Sequence, residues 1–419
     1  MRALYTAFLR LVLPFFLLRL WWRGRREPGY RLSLAERFGI YEVQARPKML
    51  WVHAVSVGEV RAAAPLVRAL QELLPDHGVL LTCTTAAGRE TLKQVYGESV
   101  FAAYLPYDYP RAVQGFLEHF RPRLAVLMET EVWPNLLALC AQNRVPVLLA
   151  NARMSEKSAR RYRRWRWLAR PAFESLAAVC AQSEGDAARL RSLGARRVEV
   201  TGNLKFDVQP NPGQLEAGRA WRAALGRPVL LLASTREGEE KLLLDALSER
   251  NETHHGKDET RNGSLLVMVV PRHPQRFDEV AQWADARRSR NEAPGEKQKI
   301  YLGDTMGEMA FYYGACDVAV IGGSFLPLGG QNLIEALAAG APVVIGPSVF
   351  NFEQATRLAL EAGACAQAAD AAAGIREALK LLADPQRRHS MGEAGRQLCE
   401  AHRGATERHL AVCRRLLGR

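Results

Sequence analysis

The stretch Met49-Leu50-Trp51-Val52-His53-Ala54-Val55-Ser56-Val57-Gly58-Glu59 decides the fold. Met49–Val55 is short and mostly apolar, which reads as a buried strand. Glu59–Leu74 then carries Val60, Ala63, Ala64, Val67, Leu70 and Leu74 at helical spacing. The same strand-then-helix alternation runs on through Gly78–Thr85, Val100–Tyr107, Leu124–Glu129, Val145–Ala150, Ala178–Ser183 and Val198–Thr201. Such alternation predicts a parallel sheet with helices on both faces. Gln209-Pro210-Asn211-Pro212-Gly213 breaks it and reads as a linker. A second series follows, with strands expected at Val229–Ser234, Leu265–Val270, Lys299–Leu302, Val318–Gly322 and Val343–Ile345. Asn251–Ser264 reads as a polar surface loop with solvated His254 and His255, and from Ala369 onward the chain reads as helical. The layout is therefore 1–26, an apolar anchor; 27–208, a first Rossmann-like domain; 209–227, a linker; 228–390, a second such domain; and 391–419, closing helices. Open α/β sheets take ligands at the carboxyl ends of their strands, so the expected site lies in a cleft faced by both domains.

Composition agrees with a globular protein whose partners are anionic. At 419 residues, 48% hydrophobic and 24% charged, the chain is neither disordered nor polytopic. Its net charge of +13 favours anionic partners such as acidic lipid, phosphorylated substrate or nucleic acid. Seven scattered cysteines without a CxxC pair read as buried thiols in a reducing compartment. Ala3–Trp22 has spanning length (about 20 residues) but contains Arg10, Pro14 and Arg19, and leads into Trp21, Trp22, Arg23, Arg25 and Arg26. It reads as a membrane anchor, either lying in the interface or spanning with its arginines snorkelling.

The chemistry-bearing motifs all follow expected strands. Glu59, behind His53–Gly58, either complements the helix dipole or serves as a general base, with Gly58 allowing close backbone approach. Glu129 and Glu131, before Trp133-Pro134-Asn135, either cap a helix or assist that base. Lys205, in Gly202–Asp207, suits a phosphate. Ser234, Thr235 and Arg236 in one strand exit, and Arg272 in another, suit an anion. The glycine-rich run Gly322–Glu335 leads into a helix. A phosphate on the Gln331–Asn332 amides, with Glu335 on ribose hydroxyls, is the expected use; Met306, Gly307 and Glu308 are expected on the same nucleotide. Arg153–Arg170, with Arg160, Arg161, Arg164 and Trp165, reads as a surface for anionic lipid; no nucleic-acid-binding motif accompanies it.

His53–Glu59, Glu129–Asn135, Asn151–Ser155, Gly202–Asp207, Glu237–Glu239, Asp304–Glu308, Gly322–Glu335, Gly346-Pro347 and Phe350–Phe352 together resemble the 3-deoxy-D-manno-octulosonic acid (Kdo) transferases of lipid A biosynthesis. The resemblance runs from the anchor to about residue 354, most of the chain. It implies a GT-B glycosyltransferase that is inverting, uses neither metal nor cofactor, and moves Kdo from CMP-Kdo to the lipid A precursor (lipid IVA) at the cytoplasmic face of the inner membrane. It implies Glu59 as base, Glu129 or Glu131 as supporting carboxylate, and Lys205 and Arg272 near the CMP phosphate. On the reading of the motifs themselves, the donor site further takes in Ser234, Thr235, Met306, Gly307, Glu308, Asn332 and Glu335. Arg153, Arg160, Arg161, Arg164 and Trp165 are expected on the acceptor and membrane side. Two positions depart from the pattern: Gln331 and Arg236 stand where histidines are expected. The rival readings are another two-domain nucleotide-sugar enzyme, such as a non-hydrolysing 2-epimerase, and a non-catalytic basic membrane-binding protein. The epimerase needs no apolar anchor, and the binding protein leaves the strand-exit motifs unexplained.

Overall fold

Runs of Val, Leu and Ala with no polar face form strands buried on both sides, as parallel sheets require. The computed structural model describes residues 2–26, 28–43, 46–253 and 265–418. It divides into one unit of Met1–Val208 with His402–Arg419 and another of Gln209–Ala401.

The first unit contains β1 (Met49–His53), β2 (Gly78–Cys83), β3 (Phe101–Tyr104), β4 (Pro122–Met128), β5 (Val147–Ala152), β6 (Ala178–Ala181) and β7 (Val198–Val200). Their order is β3-β2-β1-β4-β5-β6-β7, all parallel. Trp51, Phe116, Phe120 and Phe173 fill one face; Leu50, Leu66, Leu70, Leu148 and Leu410 fill the other. The winding reverses between β1 and β4, and His53 is paired with Leu127 across that seam. The segments carrying Glu59 and Glu129 therefore emerge side by side at a switch point.

The second unit repeats the plan with β8 (Val229–Thr235), β9 (Leu266–Pro271), β10 (Ala286–Arg287), β11 (Ile300–Leu302), β12 (Val318–Ile321), β13 (Val343–Ile345) and β14 (Cys365–Gln367), ordered β10-β11-β9-β8-β12-β13-β14. Its switch point lies between β8 and β12. The edge strands β10 and β14 are two and three residues long and partly polar, so no period marks them in the sequence.

Several segments differ from expectation. Residues 209–227 hold the helix Pro212–Leu225, N-capped by Asn211, rather than an open linker. Gly218 lets this helix close on the second unit: a Cβ there would lie 2.1 Å from the Phe311 carbonyl oxygen. The segment 391–419 is divided. Pro385–Ala401 belongs to the second unit, whereas Ala405–Leu416, after Gly404 at φ +87°, packs in the first. There His409 Nε2 accepts from Asn151 N at 2.9 Å, and Asp207 accepts from Gly404 N and Thr406 N. Glu59–Leu74 is two helices, Val57–Ala62 and Ala64–Leu73, because Pro65 starts the second. The arginine-rich segment is likewise two, Glu156–Arg164 and Arg166–Glu174, broken at Trp165. The helix Glu239–Thr253 takes in the first residues of the expected 251–264 loop; His254 and His255 lie outside the described residues.

The N-terminal helix, Arg2–Arg26, has the length and composition to cross a membrane and is almost wholly unburied. Three contacts fasten one flank to the first unit. Tyr5 donates to Asp108 at 3.0 Å, Asn135 Nδ2 donates to Thr6 at 3.0 Å, and Tyr109 donates to the Leu9 carbonyl. On the outer side Leu4, Phe8, Leu11, Phe15, Leu18 and Trp22 are all exposed and recur at spacings of three and four.

Candidate active site

At the exit of β1, Ser56 caps the helix Val57–Ala62 by accepting from Glu59 N. The Glu59 carboxylate turns back on the same loop, accepting from Val55 N at 2.9 Å and from the Ser56 hydroxyl at 3.0 Å. This capping-box-like closure fixes the carboxylate at the strand exit. Burial, and then the neighbouring charge of Glu129, raise its pKa to about 7. Glu59 thus caps the helix and is also poised as a base near neutrality. Gly58 is not needed for tight backbone packing, since a Cβ there would meet only Ser56 Oγ at 3.9 Å.

Glu129 leaves β4 with φ +56°, a left-handed conformation that is costly for a residue with a side chain. Its carboxylate receives Lys205 Nζ at 2.9 Å. Burial alone would raise its pKa, but Lys205, with Arg153, outweighs burial and holds it below the usual carboxylate range. Lys205 is aimed from a short 3₁₀ turn, Leu204–Asp207, where Leu204 N donates to Asn151 Oδ1 and Lys205 N to Asn203 Oδ1. Expected at a phosphate, its ammonium already rests on a carboxylate. A ligand phosphate must therefore share it. Glu131 accepts from Trp133 Nε1 at 2.7 Å, and burial raises its pKa. Its Oε2 is 3.9 Å from Nε2 of His53. That imidazole is wholly buried, lies 2.8 Å from Thr82 Oγ1 through Nδ1, and is pushed by burial to about 4, so it is neutral; its Nε2 has no hydrogen-bond partner. Arg153 joins this cluster through its charge on Glu129. Arg160, Arg161 and Arg164 are exposed on the helix Glu156–Arg164, and Trp165 is exposed at the break that follows it.

In the second unit one buried carboxylate, Glu239, organises the switch point. It accepts from Arg236 N at 2.9 Å, Phe325 N at 3.1 Å and Gly323 N, joining the β8 exit to the loop after β12. Gly322 is required by this closeness, because a Cβ would lie 2.6 Å from Thr235 Cα. Ser234 takes φ +57° at the strand end. Arg272 Nε donates to Gln331 Oε1 at 3.2 Å. Burial, then Arg272, Arg236 and Arg276, lower His273 to about 4. The ring is kept neutral first by burial and then by the surrounding guanidinium groups, whose charges make this an electropositive corner.

The remaining donor-side residues have the following partners and exposure. The Thr235 hydroxyl is fully buried and donates to Glu240 at 2.7 Å, so it is not presented to a ligand. Gln331 N donates to the Gly322 carbonyl, so it is not an open phosphate donor, and the helix begins only at Ile334. Asn332 and Glu335 are joined at 2.9 Å. Glu308 is bound by Arg288 at 3.0 Å, and Gly307, at φ +82°, accepts from Gln214. Met306 is 45% exposed.

Residues 32–208 match the family model for 3-deoxy-D-manno-octulosonic-acid transferase (kdotransferase), and 286–398 match glycosyl transferases group 1. A 3-deoxy-D-manno-octulosonic acid transferase of Bordetella pertussis is 46% identical over 437 aligned positions, covering all of both chains. The chain belongs to the Kdo transferase family. A Haemophilus influenzae Kdo transferase is 35% identical, covering 100% of this chain and 99% of the relative. Among solved structures, a UDP-GlcNAc 2-epimerase of Neisseria meningitidis bound to UDP-GlcNAc has a TM-score of 0.56 at 16% identity. It covers 87% of this chain and 98% of its own. That likeness concerns the two-domain GT-B architecture alone.

For this Kdo transferase, sequence reading missed His53, Trp133 and Glu239 as participants. All three stand inside motifs already singled out, but no spacing tells that His53 and Glu239 are buried or that Trp133 donates to Glu131. Among the described residues no cluster of three or more His, Cys, Asp or Glu side chains is arranged to hold a metal ion.

Proposed function

We propose that this glycosyltransferase moves Kdo from CMP-Kdo to the lipid A precursor (lipid IVA), a phosphorylated, acylated disaccharide, with inversion and without a divalent metal. The observation that carries the reading is Glu59, a carboxylate with pKa near 7 beside the Lys205-bound Glu129. Glu59 takes the proton of an acceptor hydroxyl as its oxygen attacks the anomeric carbon of Kdo. The bond from that carbon to the CMP phosphate oxygen breaks on the opposite face, and its electron pair leaves on the phosphate. Arg272 and Arg236 neutralise that charge, with Lys205 as a shared cation, so cations supply what a metal would. Glu129 stays ionised and keeps Glu59 basic. Glu131 orients the acceptor hydroxyl through its bond to Trp133. Ser234, Met306, Gly307, Asn332 and Glu335 border the nucleotide.

The N-terminal helix is read as lying in the interface. A helix fastened along its flank at Tyr5, Thr6 and Leu9 keeps that flank with the domain, while the Leu4–Trp22 stripe faces acyl chains. With Arg160, Arg161, Arg164 and Trp165 on anionic headgroups, this suits the cytoplasmic face of the inner membrane. The test is incubation of purified enzyme with CMP-Kdo and lipid IVA in detergent. A mass gain of one or more Kdo units is expected. CMP release without a glycosylated lipid sinks the reading.

A further inference from the structure

A groove of about 380 Å³ runs between the N-terminal helix and the strand exits of the first unit. Its size falls within the range of small-ligand sites, about 300–1,000 Å³. One wall is apolar: Leu9, Leu13, Phe16 and Leu20 stand at positions i, i+4, i+7 and i+11 of the helix. The opposite wall holds Arg37, which is only 3% exposed. Arg37 Nη2 donates to the Thr84 carbonyl at 3.2 Å and the guanidinium lies 4.1 Å from the Tyr104 ring centre, yet Nε has no hydrogen-bond partner. No carboxylate among the described residues is within ion-pairing distance of it. Arg19 and Arg23 add positive charge to the same groove. The acid Asp108 also borders it, but its oxygens already accept from Tyr5, Asn135 N and Leu136 N. The far end is formed by Val55, Glu131 and Trp133, and Val55 N is the amide that holds Glu59.

An apolar wall, an incompletely satisfied buried cation and an end at the proposed base describe the negative image of a phosphorylated lipid. We propose that the groove holds one acyl chain of the acceptor along Leu9–Leu20, with a phosphate of the same molecule on Arg37, and so delivers its sugar to Glu59. This deepens the reading above and rests on it for the identity of the acceptor. The helix is then part of the substrate site as well as an attachment to the membrane. A group buried beside Arg37 is favourable if it completes the guanidinium's hydrogen bonds; a phosphate does so with the compensating charge, whereas a neutral headgroup offers only uncharged acceptors.

The full-length protein in non-ionic detergent is titrated with lysophosphatidic acid carrying a brominated chain, and with the brominated monoacylglycerol of equal length. The component of fluorescence quenching lost in Trp133→Phe isolates groove occupancy. Saturation by the phosphorylated probe at about tenfold lower concentration than by the neutral one is expected. Leu13→Glu, on a half-exposed helix position, abolishes that component, and Arg37→Met makes the two probes equivalent. Inorganic phosphate alone neither quenches nor displaces. Equal quenching by both probes that persists in Leu13→Glu overturns the proposal, as does full displacement by inorganic phosphate; Leu13→Glu decides it even if Arg37→Met does not fold. In the transfer assay, Leu13→Glu raises KM for lipid IVA about tenfold or more while kcat/KM for a deacylated, water-soluble acceptor holds. Unchanged KM for lipid IVA removes the groove but leaves the transfer reading. Lipid binding without any transfer by the unmodified enzyme removes the transfer reading but leaves the groove.

Discussion

The two units share one sheet plan and use it for opposite electrostatics. Each is a seven-stranded parallel sheet whose winding reverses beside its first strand. At the reversal in the first unit, the strand exits present Glu59, Glu129 and Glu131; burial raises the pKa of Glu59 and Glu131, while Lys205, with Arg153, holds that of Glu129 down. At the reversal in the second, Glu239 is buried and turned wholly to backbone amides, while Arg236 and Arg272 surround a neutral His273. The proposed base is thus a carboxylate in one unit, while the corresponding carboxylate in the other is scaffolding. The difference lies in burial and partners, since the residue type and its place just after a strand are the same. One scaffold serves both because loops, not strands, carry the reacting groups.

The largest test of that contrast is Glu59→Gln. Loss of a general base should lower kcat by about 10²–10⁴-fold while CMP affinity is retained; near wild-type turnover at saturating substrates breaks the assignment. Next is Arg272→Ala, which should cost about 1.5–3 kcal/mol in kcat/KM for the donor through a lost charge-assisted contact. Acceptor KM should hold, and a change in acceptor KM alone would erase the division of labour. A smaller effect is expected in the pH profile of kcat. Because Glu59 must be ionised, activity rises with pH through about 7. Glu129→Gln removes the charge that raises Glu59, so the rise should move to lower pH. Lys205→Met removes the cation that holds the Glu129 pKa down, and burial then raises it so that Glu129 titrates together with Glu59; the rise should become broader than a single titration. An unmoved profile in Glu129→Gln would mean that Glu129 does not set the base. The smallest expected effect is that of chelation: metal-stripped enzyme in excess EDTA should keep its rate. Collapse restored only by Mg²⁺ or Mn²⁺ would turn attention to Glu129 and Glu131 as ligands.

Much of the fold was legible because buried parallel strands have a strong signature. The expected segments from Met49 to Ile345 coincide with strands to within a few residues, and only the short β10 and β14 escaped. The site was legible as motifs but not as hydrogen bonds. Thr235 looked like a ligand hydroxyl, yet it is buried on Glu240, and the Gln331 amide is closed by Gly322. Arg37 stands in none of the motifs, since a single arginine between Glu36 and Phe38 carries no periodicity.

By itself the sequence determined what depends on local pattern: two alternating α/β series, an apolar first helix, and polar residues gathered behind strand ends. Those follow from spacing and side-chain chemistry within a few residues. Tertiary structure decided everything that depends on partners distant in the chain. It set Lys205 on Glu129, 76 residues away, and it buried Glu59 beside Glu129, which raises the Glu59 pKa to about 7. It returned the last helix to the first unit through His409 and Asn151, 258 residues apart. It also laid the N-terminal helix beside the β1 exit, making a groove where the sequence offered only an anchor. Burial and charge pairing are properties of the packed chain, and a carboxylate's role depends on them.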